Sequence, residues 1–250
     1  MSQKIKNPNE KSSGFLVGII ALVVIVLAVI GAVLYMGRNQ PMEGLPNDDV
    51  NFNVAVDGDV IRLSSDKAGD DAVVAQVFED FSCGYCGEMA TGGHSDELKA
   101  LNEGTLVVEQ HTLNFLDGTE PGSGKVKQDG HSTKSMAIMR EIAKTGDAKL
   151  YWNFHAMMMK DQQTAAGWSN EELAERAKSM GANDELVAKI TDGIDTAEAK
   201  KAAEGNYGTL EKALGKVSSP HVLVDGKDVL DNLGERPLTD WVKAALETKK

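Results

Sequence analysis

The two cysteines of this 250-residue chain, Cys83 and Cys86, lie three positions apart in a setting that restricts the local fold. The residues before them, Ala72–Phe81 (AVVAQVFEDF), are β-branched and aromatic, which is typical of a strand. We expect this strand to be buried on both faces at its start. The residues after them, to about Leu101, follow a helical pattern that Gly92-Gly93 is expected to kink or break. The pair is therefore predicted to lie where a strand passes directly into a helix.

Such a cysteine pair could be a metal clip, a structural staple or a redox couple. A structural zinc site takes four ligands, usually in two close pairs, and the five histidines of the chain offer no second pair. A disulfide across so short a loop removes little chain entropy, which disfavours a purely structural role. At a helix start, unpaired N–H groups and the helix dipole stabilise a thiolate, the nucleophile of disulfide exchange. The context favours a redox couple and no metal.

The N-terminal part contains 23 residues without a charge, Gly14–Met36. At about 1.5 Å per residue this is enough to cross a hydrocarbon layer of roughly 30 Å. A cleaved signal peptide is the alternative, but the run is longer than the apolar region of such peptides, and it ends in bulky residues. Lysines precede the run at 4, 6 and 11, whereas only Arg38 follows it closely, which predicts a cytoplasmic N-terminus. We expect a cytoplasmic tail at 1–13, a transmembrane helix at 14–36, a linker at 37–49 and an extracytoplasmic domain at 50–250.

The formal net charge of −12 restricts the possible partners. Nucleic-acid binding depends on clustered Lys and Arg that neutralise phosphates, so we expect no nucleic-acid partner. An acidic domain on the outer side of a membrane is sufficient to explain the charge.

The remaining pattern predicts one mixed sheet with helices. Val50–Leu63 alternates apolar and polar residues around Asp57-Gly58, as two short strands do. A further strand is expected over Thr105–Phe115, a loop over 117–130, a hairpin over His221–Leu230 and a last helix over Leu238–Leu246. A block of helices lies between, predicted at His131–Lys144, Asp147–Asp161, Ser169–Met180 with a capping box, Asn183–Thr191 and Thr196–Leu214.

Together these features resemble the DsbA-like group of exported, thioredoxin-fold thiol:disulfide interchange proteins. The strand, the FEDFSCGYC motif and the helix are similar to that group's active-site unit, and Ser219-Pro220 before the hairpin is similar to its cis-proline loop. The helices at about 131–214 are similar to its helical insertion, and YWNFH at 151–155 to its aromatic helix. The resemblance implies an α/β, thioredoxin-like fold with a helical insertion between the βαβ half and the C-terminal hairpin and helix, preceded here by one transmembrane helix.

The resemblance also implies roles for individual residues. Cys83 would be the exposed nucleophile and Cys86 its buried partner, with Gly84 and Tyr85 as the dipeptide between them. Pro220 would be cis, and Ser219 and His221 would line the groove that accepts substrate backbone. His221 could alternatively interact with the Cys83 thiolate, or be a surface histidine.

The sequence departs from the group at two places. Many relatives have an acidic residue six positions before the first cysteine, where this chain has Val77. Glu79 or Asp80 could relay the proton instead, although exposed acids at a strand end are the ordinary alternative. The dipeptide also lacks the histidine of strongly oxidising relatives, and CGYC resembles the active site of DsbC-type isomerases as well.

The resemblance implies oxidation of reduced or unfolded exported proteins by dithiol transfer, with no bound organic cofactor. It also implies a quinone-linked membrane reoxidase, DsbB-like or VKOR-like, and a monomer anchored by a single membrane pass. Reduction or isomerisation on the same scaffold stays an alternative, as does a non-catalytic folding or binding module.

Overall fold

The computed structural model describes residues 13–38, 42, 44–118 and 129–249. The chain divides into two compact units, Met1–Met42 and Glu43–Lys250. The first contains helix α1, Ser13–Arg38, over the segment predicted as a membrane helix. Among the described residues, no helix meets the length and apolarity needed to cross a membrane. Almost all of the predicted cytoplasmic tail, part of the linker and most of the loop at 117–130 lie outside the described residues.

The second unit is built on a six-stranded mixed sheet with the order β1-β2-β4-β3-β5-β6. Only β3 and β4 are parallel, and every other neighbouring pair is antiparallel. The fold is the predicted thioredoxin-like α/β arrangement. The strands are β1 at Asn53–Asp57, β2 at Val60–Ser64, β3 at Val73–Asp80, β4 at Leu106–Leu113, β5 at His221–Val224 and β6 at Lys227–Asp228.

This topology brings three chain segments to one edge of the sheet. Parallel strands β3 and β4 end at the same edge, and β5 begins there because Phe78 of β3 pairs with His221 of antiparallel β5. The residues after β3, the residues after β4 and the loop before β5 therefore meet. We call this the cysteine edge, because Cys83 follows β3 there.

Strand β3 was expected to be buried on both faces at its start, but it is its end that is buried on both faces. Val74 near the start of the strand is 39% exposed, whereas the last four residues, Val77 to Asp80, are all buried. The start faces solvent on one side, and the end is covered on both faces. Neighbouring residues alternate between faces, so Val77 and Glu79 share one face while Phe78 and Asp80 share the other.

Helix α2, Gly84–Glu103, is continuous, so the prediction of a break at Gly92-Gly93 was wrong. The two glycines provide space. A Cβ on Gly92 would lie 2.0 Å from the Thr239 side chain, and one on Gly93 would lie 2.6 Å from the Trp241 ring. They allow the C-terminal segment to pack closely on α2, at the small propensity cost that glycine has within a helix.

The helical insertion follows the predicted pattern closely. Its helices are α3 at His131–Lys144, α4 at Ala148–Lys160, the short α5 at Gln162–Ala165, α6 at Asn170–Ser179, α7 at Asp184–Asp192 and α8 at Ala197–Leu214. The capping box before α6 is present, with Ser169 and Glu172 each bonded to the other's backbone N–H. The short helix α5 was not predicted, because four residues carry no periodic signal.

The C-terminal part also departs slightly from the pattern. Strand β6 ends at Asp228, and Leu230–Asn232 form a 3-10 turn where a longer hairpin arm was expected. The last helix is split into a 3-10 turn at Leu238–Asp240 and α9 at Trp241–Glu247.

Candidate active site

Cys83 and Cys86 occupy the start of α2, as the sequence predicted. Cys83 is the capping residue, with an extended backbone (φ −87°, ψ 114°), and its N–H donates to the Asp80 carbonyl at 2.9 Å. Its own carbonyl accepts from Gly87 N–H at 3.1 Å, which begins the helix. Both cysteines are free thiols. Cys83 is buried, at 7% exposed, so the implied exposed position was wrong; Cys86 is not exposed at all, so of the two thiols only that of Cys83 can be reached from solvent.

The loop before β5 lies against Cys83. The Ser219–Pro220 peptide bond is cis, as the resemblance implies. The thiol of Cys83 donates to the carbonyl oxygen of Ser219 at 3.5 Å. The hydroxyl of Ser219 is buried and has no hydrogen-bond partner among the described polar atoms. Ser219 therefore brings both a carbonyl and an unpaired hydroxyl to the cysteine edge.

The two thiols differ strongly in acidity. The pKa of Cys83 is lowered from its ordinary value of 9.0 to about 5, chiefly because the Cys86 thiol donates to the Cys83 thiolate. Burial opposes this shift, and Ser219 and the backbone N–H groups of Cys86 and Tyr85 add to it. The helix dipole alone is worth roughly 0.3–2 kcal/mol, so most of the shift comes from these donors. The pKa of Cys86 is raised, first by burial and then by the neighbouring Cys83.

The dipeptide between the cysteines faces solvent. Tyr85 is 69% exposed, and a Cβ on Gly84 would meet no atom within 4 Å. Gly87, one residue past Cys86, differs, because a Cβ there would lie 2.8 Å from the Met159 carbonyl. The same close approach allows Gln162 Nε2 to donate to the Cys83 carbonyl at 2.9 Å. The insertion thus contacts the cysteine turn directly.

Asp80 is fully buried, so the alternative of an exposed strand-end acid does not apply to it. Its carboxylate accepts from Ser132 Oγ at 2.5 Å, Ser82 N–H at 2.9 Å and Leu116 N–H at 3.1 Å. Burial raises the pKa of Asp80 to about 6, although these hydrogen bonds oppose the rise. Asp80 therefore ties β3, the loop after β4 and the start of α3 together at the cysteine edge.

Glu79 is buried on the opposite face, 1% exposed. Its Oε1 lies 2.8 Å from Nε2 of His155, which comes from α4. Burial opposes ionisation of His155, but the carboxylates of Glu79 and Glu97 outweigh it and raise its pKa. Glu79 and His155 therefore form a buried ion pair under α2.

The structure places His221 away from solvent, 7% exposed, so it is not a surface histidine. Both ring nitrogens are engaged: Nδ1 lies 2.5 Å from Asp228 Oδ2, and Nε2 lies 2.7 Å from Ser218 Oγ. Asp228 Oδ1 also accepts from the backbone N–H groups of Val222 and Leu230. His221 thus braces the loop that carries Ser219 and Pro220, and its ring nitrogens bond these groups in preference to Cys83.

Several residues of the site were not predicted from the sequence. Ser132, Gln162 and Asp228 are polar residues without a distinctive spacing, and each reaches the cysteine edge from another element. His155 lies in the segment that resembled an aromatic helix, which was the available signal for it. Among the described residues, no group of three or more His, Cys, Asp or Glu side chains is arranged to hold a metal ion.

Comparisons with known proteins agree with this geometry. No protein-family model matches the chain. The solved MdbA protein from Corynebacterium diphtheriae, a thiol-disulfide oxidoreductase, is 37% identical, with a TM-score of 0.71 over 80% of this chain and 95% of that chain. MdbA from Corynebacterium matruchotii is 39% identical, with a TM-score of 0.69 over 79% of this chain and 92% of that chain.

Among curated proteins, the serine/threonine-protein kinase PknE of Mycobacterium tuberculosis is 27% identical over 139 residues, which are 54% of this chain and 24% of the kinase. The match thus spans about a quarter of that relative's length. The two MdbA proteins are matched over nearly their whole length. On this likeness and on the strand-to-helix position of Cys83 and Cys86, the chain belongs to the MdbA-type, DsbA-like family of thiol-disulfide oxidoreductases.

Proposed function

We propose that the protein is a dithiol oxidase, which introduces disulfides into reduced or unfolded exported proteins through the Cys83/Cys86 couple. The observation that carries the proposal is the low pKa of Cys83, about 5. A stable thiolate stabilises the reduced protein relative to its disulfide, and a disulfide whose reduced form is stable is a strong oxidant.

The size of this effect follows from the pKa. Because the folded-state pKa lies below the ordinary value of 9.0, the stabilisation of reduced Cys83 is complete above about pH 9 and disappears as the pH falls through about 5. Near pH 7 it amounts to about 3 kcal/mol, or roughly 60 mV in the potential of a two-electron couple. This favours electron flow from substrate thiols into the protein.

The geometry supports one order of steps. A substrate thiolate attacks Sγ of Cys83 in the oxidised protein, because Cys86 is not exposed, and Cys86 leaves as a thiolate. A second substrate thiolate then attacks the substrate sulfur of the mixed disulfide, and Cys83 leaves. The substrate loses two electrons and gains a disulfide, and both cysteines are reduced. A quinone-linked membrane reoxidase, DsbB-like or VKOR-like, takes these electrons, and the proposed cycle uses no bound organic cofactor.

Cys86 needs a proton when it leaves, since burial raises its pKa. We assign the relay to Glu79 in preference to Asp80. Glu79 shares the face of β3 with Val77, the position where relatives have their acid, and lies two residues nearer the cysteines. Asp80 lies on the other face with three hydrogen-bond donors already bound.

The exposed apolar side chains near the cysteines support the proposal that the substrates are unfolded. Large exposed apolar side chains at the cysteine edge are Tyr85 at 69%, Leu116 at 44% and Val217 at 38%. Apolar groups around a nucleophile suit extended segments that have not yet buried their own side chains. The proposal places this domain outside the cytoplasm as a monomer, with its N-terminus inside and segment 14–36, 23 uncharged residues, as the anchor.

The test is the reduction potential of the couple, measured by equilibration with glutathione. We expect a value well above that of thioredoxin, about −270 mV, and toward that of DsbA, about −120 mV. A value near −270 mV would overturn the oxidase proposal in favour of reduction. A Cys83→Ser variant should lose all activity in refolding a reduced substrate. A Cys86→Ser variant should accumulate mixed disulfides when its Cys83 thiolate attacks a disulfide-bonded substrate, because no Cys86 thiol remains to release that substrate.

The relay has its own test. Glu79→Gln should slow disulfide exchange and shift its pH profile while leaving the potential nearly unchanged. Asp80→Asn, a matched change one residue away, should not shift that profile. Equal profiles for Glu79→Gln and the unaltered protein would exclude Glu79 as the relay.

A further inference from the structure

A cavity of about 270 Å³ opens between α2, α4 and the segment 44–46 that precedes β1. Its lining on α2 begins at Ala90, one helical turn beyond Cys86, and the cysteines do not line it. It therefore lies beside the disulfide-exchange site, and the two share helix α2 and His155, the partner of Glu79.

Glu97 lines this cavity and is the residue that most indicates a ligand-binding site. The side chain lies on α2 and the residue is only 7% exposed, while its carboxyl oxygens open onto the cavity and make no hydrogen bond or ion pair with the described residues. Burial raises the pKa of Glu97 to about 8. A buried charged or polar group without a partner is costly and rare in native proteins.

The polar neighbours of Glu97 are already paired with other groups. His155 is bound to Glu79 at 2.8 Å, and His94 is bound to Asp48 at 2.7 Å. Lys160 also lines the cavity but makes no ion pair with Glu97. The carboxyl group of Glu97 is therefore the acceptor that the cavity leaves available to a ligand.

The rest of the wall is largely apolar and aromatic. Trp152 is 2% exposed and stacks on the ring of His94, with centroids 4.6 Å apart. Leu45, Pro46 and Ala156 extend the apolar surface. Small-molecule sites typically measure about 300–1,000 Å³, so this cavity suits a ligand of about one ring with a short chain.

We propose that the cavity binds a small primary amine with an apolar or aromatic body, whose ammonium group pairs with the Glu97 carboxylate. The ammonium group supplies the partner that Glu97 lacks, and a pair of opposite charges with hydrogen bonds offsets the desolvation of both. The aromatic body lies against Trp152.

The proposal is tested above about pH 8, where the Glu97 carboxyl group is ionised, by titrating the full-length protein with phenethylamine and following the tryptophan indole N–H signals by NMR. We expect a saturable shift of the Trp152 signal, with the Trp241 signal unchanged. Glu97→Gln should weaken phenethylamine binding by at least about tenfold, the range expected for loss of a charged hydrogen bond. Glu103→Gln, an exposed residue on the same helix, should leave the affinity unchanged.

The neutral analogue 2-phenylethanol supplies a second comparison that needs no variant. We expect it to bind the unaltered protein at least about tenfold more weakly than phenethylamine, because it carries no charge. The proposal is overturned if the Trp152 signal does not saturate up to about 10 mM amine. It is equally overturned if Glu97→Gln binds the amine unchanged, or if the alcohol binds as tightly as the amine.

Discussion

Asp80 and Glu97 are both buried carboxyl groups in the same domain, but one is fully hydrogen-bonded and the other is not. Asp80 accepts three hydrogen bonds, and its pKa is raised only to about 6. Glu97 has none among the described residues, and its pKa is raised to about 8. The difference indicates that hydrogen-bond donors offset part of the desolvation cost at Asp80, while at Glu97 only the charge of His155 opposes it.

The two carboxyl groups therefore have different consequences for the fold. Asp80 joins the end of β3 to Leu116 after β4 and to Ser132 at the start of α3, so it supports the edge where the cysteines lie. Glu97 joins no two elements. We infer that Asp80 contributes to the stability of the cysteine edge, whereas the ionised Glu97 side chain lowers the stability of the fold.

The largest expected effect is that of Asp80→Ala. It leaves Ser132 Oγ and the N–H groups of Ser82 and Leu116 without an acceptor, and each lost partner costs about 1–3 kcal/mol. We expect the free energy of unfolding of the reduced protein to fall by about 3 kcal/mol or more, measured by urea denaturation near neutral pH. Asp80→Asn keeps one acceptor oxygen and should lose less. A loss below about 1 kcal/mol for Asp80→Ala would contradict the role assigned to it.

Glu97→Gln should instead raise the free energy of unfolding, by an amount that depends on pH. The folded-state pKa of about 8 lies above the ordinary value of 4.5, so the folded protein holds this proton through the window between them. Stability is therefore lost as the pH rises from about 4.5 through about 8. The glutamine variant does not titrate there.

We expect Glu97→Gln to match the unaltered protein near pH 4.5 and to be more stable by up to about 5 kcal/mol above pH 8, in urea denaturation at a series of pH values. The exposed control Glu103→Gln should follow the unaltered protein throughout. If the two variants behave alike, Glu97 is already compensated by a partner.

Periodicity alone predicted most of this fold, for physical reasons that particular elements illustrate. Helix α3, His131–Lys144, has the predicted bounds, because a long amphipathic pattern is a strong signal. The continuous path of α2 through Gly92-Gly93 could not be predicted. The reason for those glycines is a contact with Thr239 and Trp241, far away in the sequence.

The parts of the site that neighbouring residues in the sequence define were predictable. Cys83 and Cys86 stand out by their spacing, and Ser219-Pro220 by its resemblance to a known loop. The buried network was not predictable, because Glu79 meets His155 and Asp80 meets Ser132 only after the insertion has packed on the sheet. Acids at a strand end are ordinarily exposed, so their burial here depends on tertiary structure.

The smallest effect is expected for Asp48→Asn, which changes the partner of His94, a residue of the cavity that Glu97 lines. Asp48 Oδ2 lies 2.7 Å from His94 Nε2, but its side chain is 40% exposed, so water replaces the lost partner. The backbone hydrogen bonds of Asp48 to Asn153 stay in place. Partly exposed ion pairs are worth about 0.2–1 kcal/mol, and we expect a loss in that range by urea denaturation. A loss above about 2 kcal/mol would contradict this expectation. It would mean that burial does not determine how strongly a carboxylate of this domain affects the free energy of unfolding.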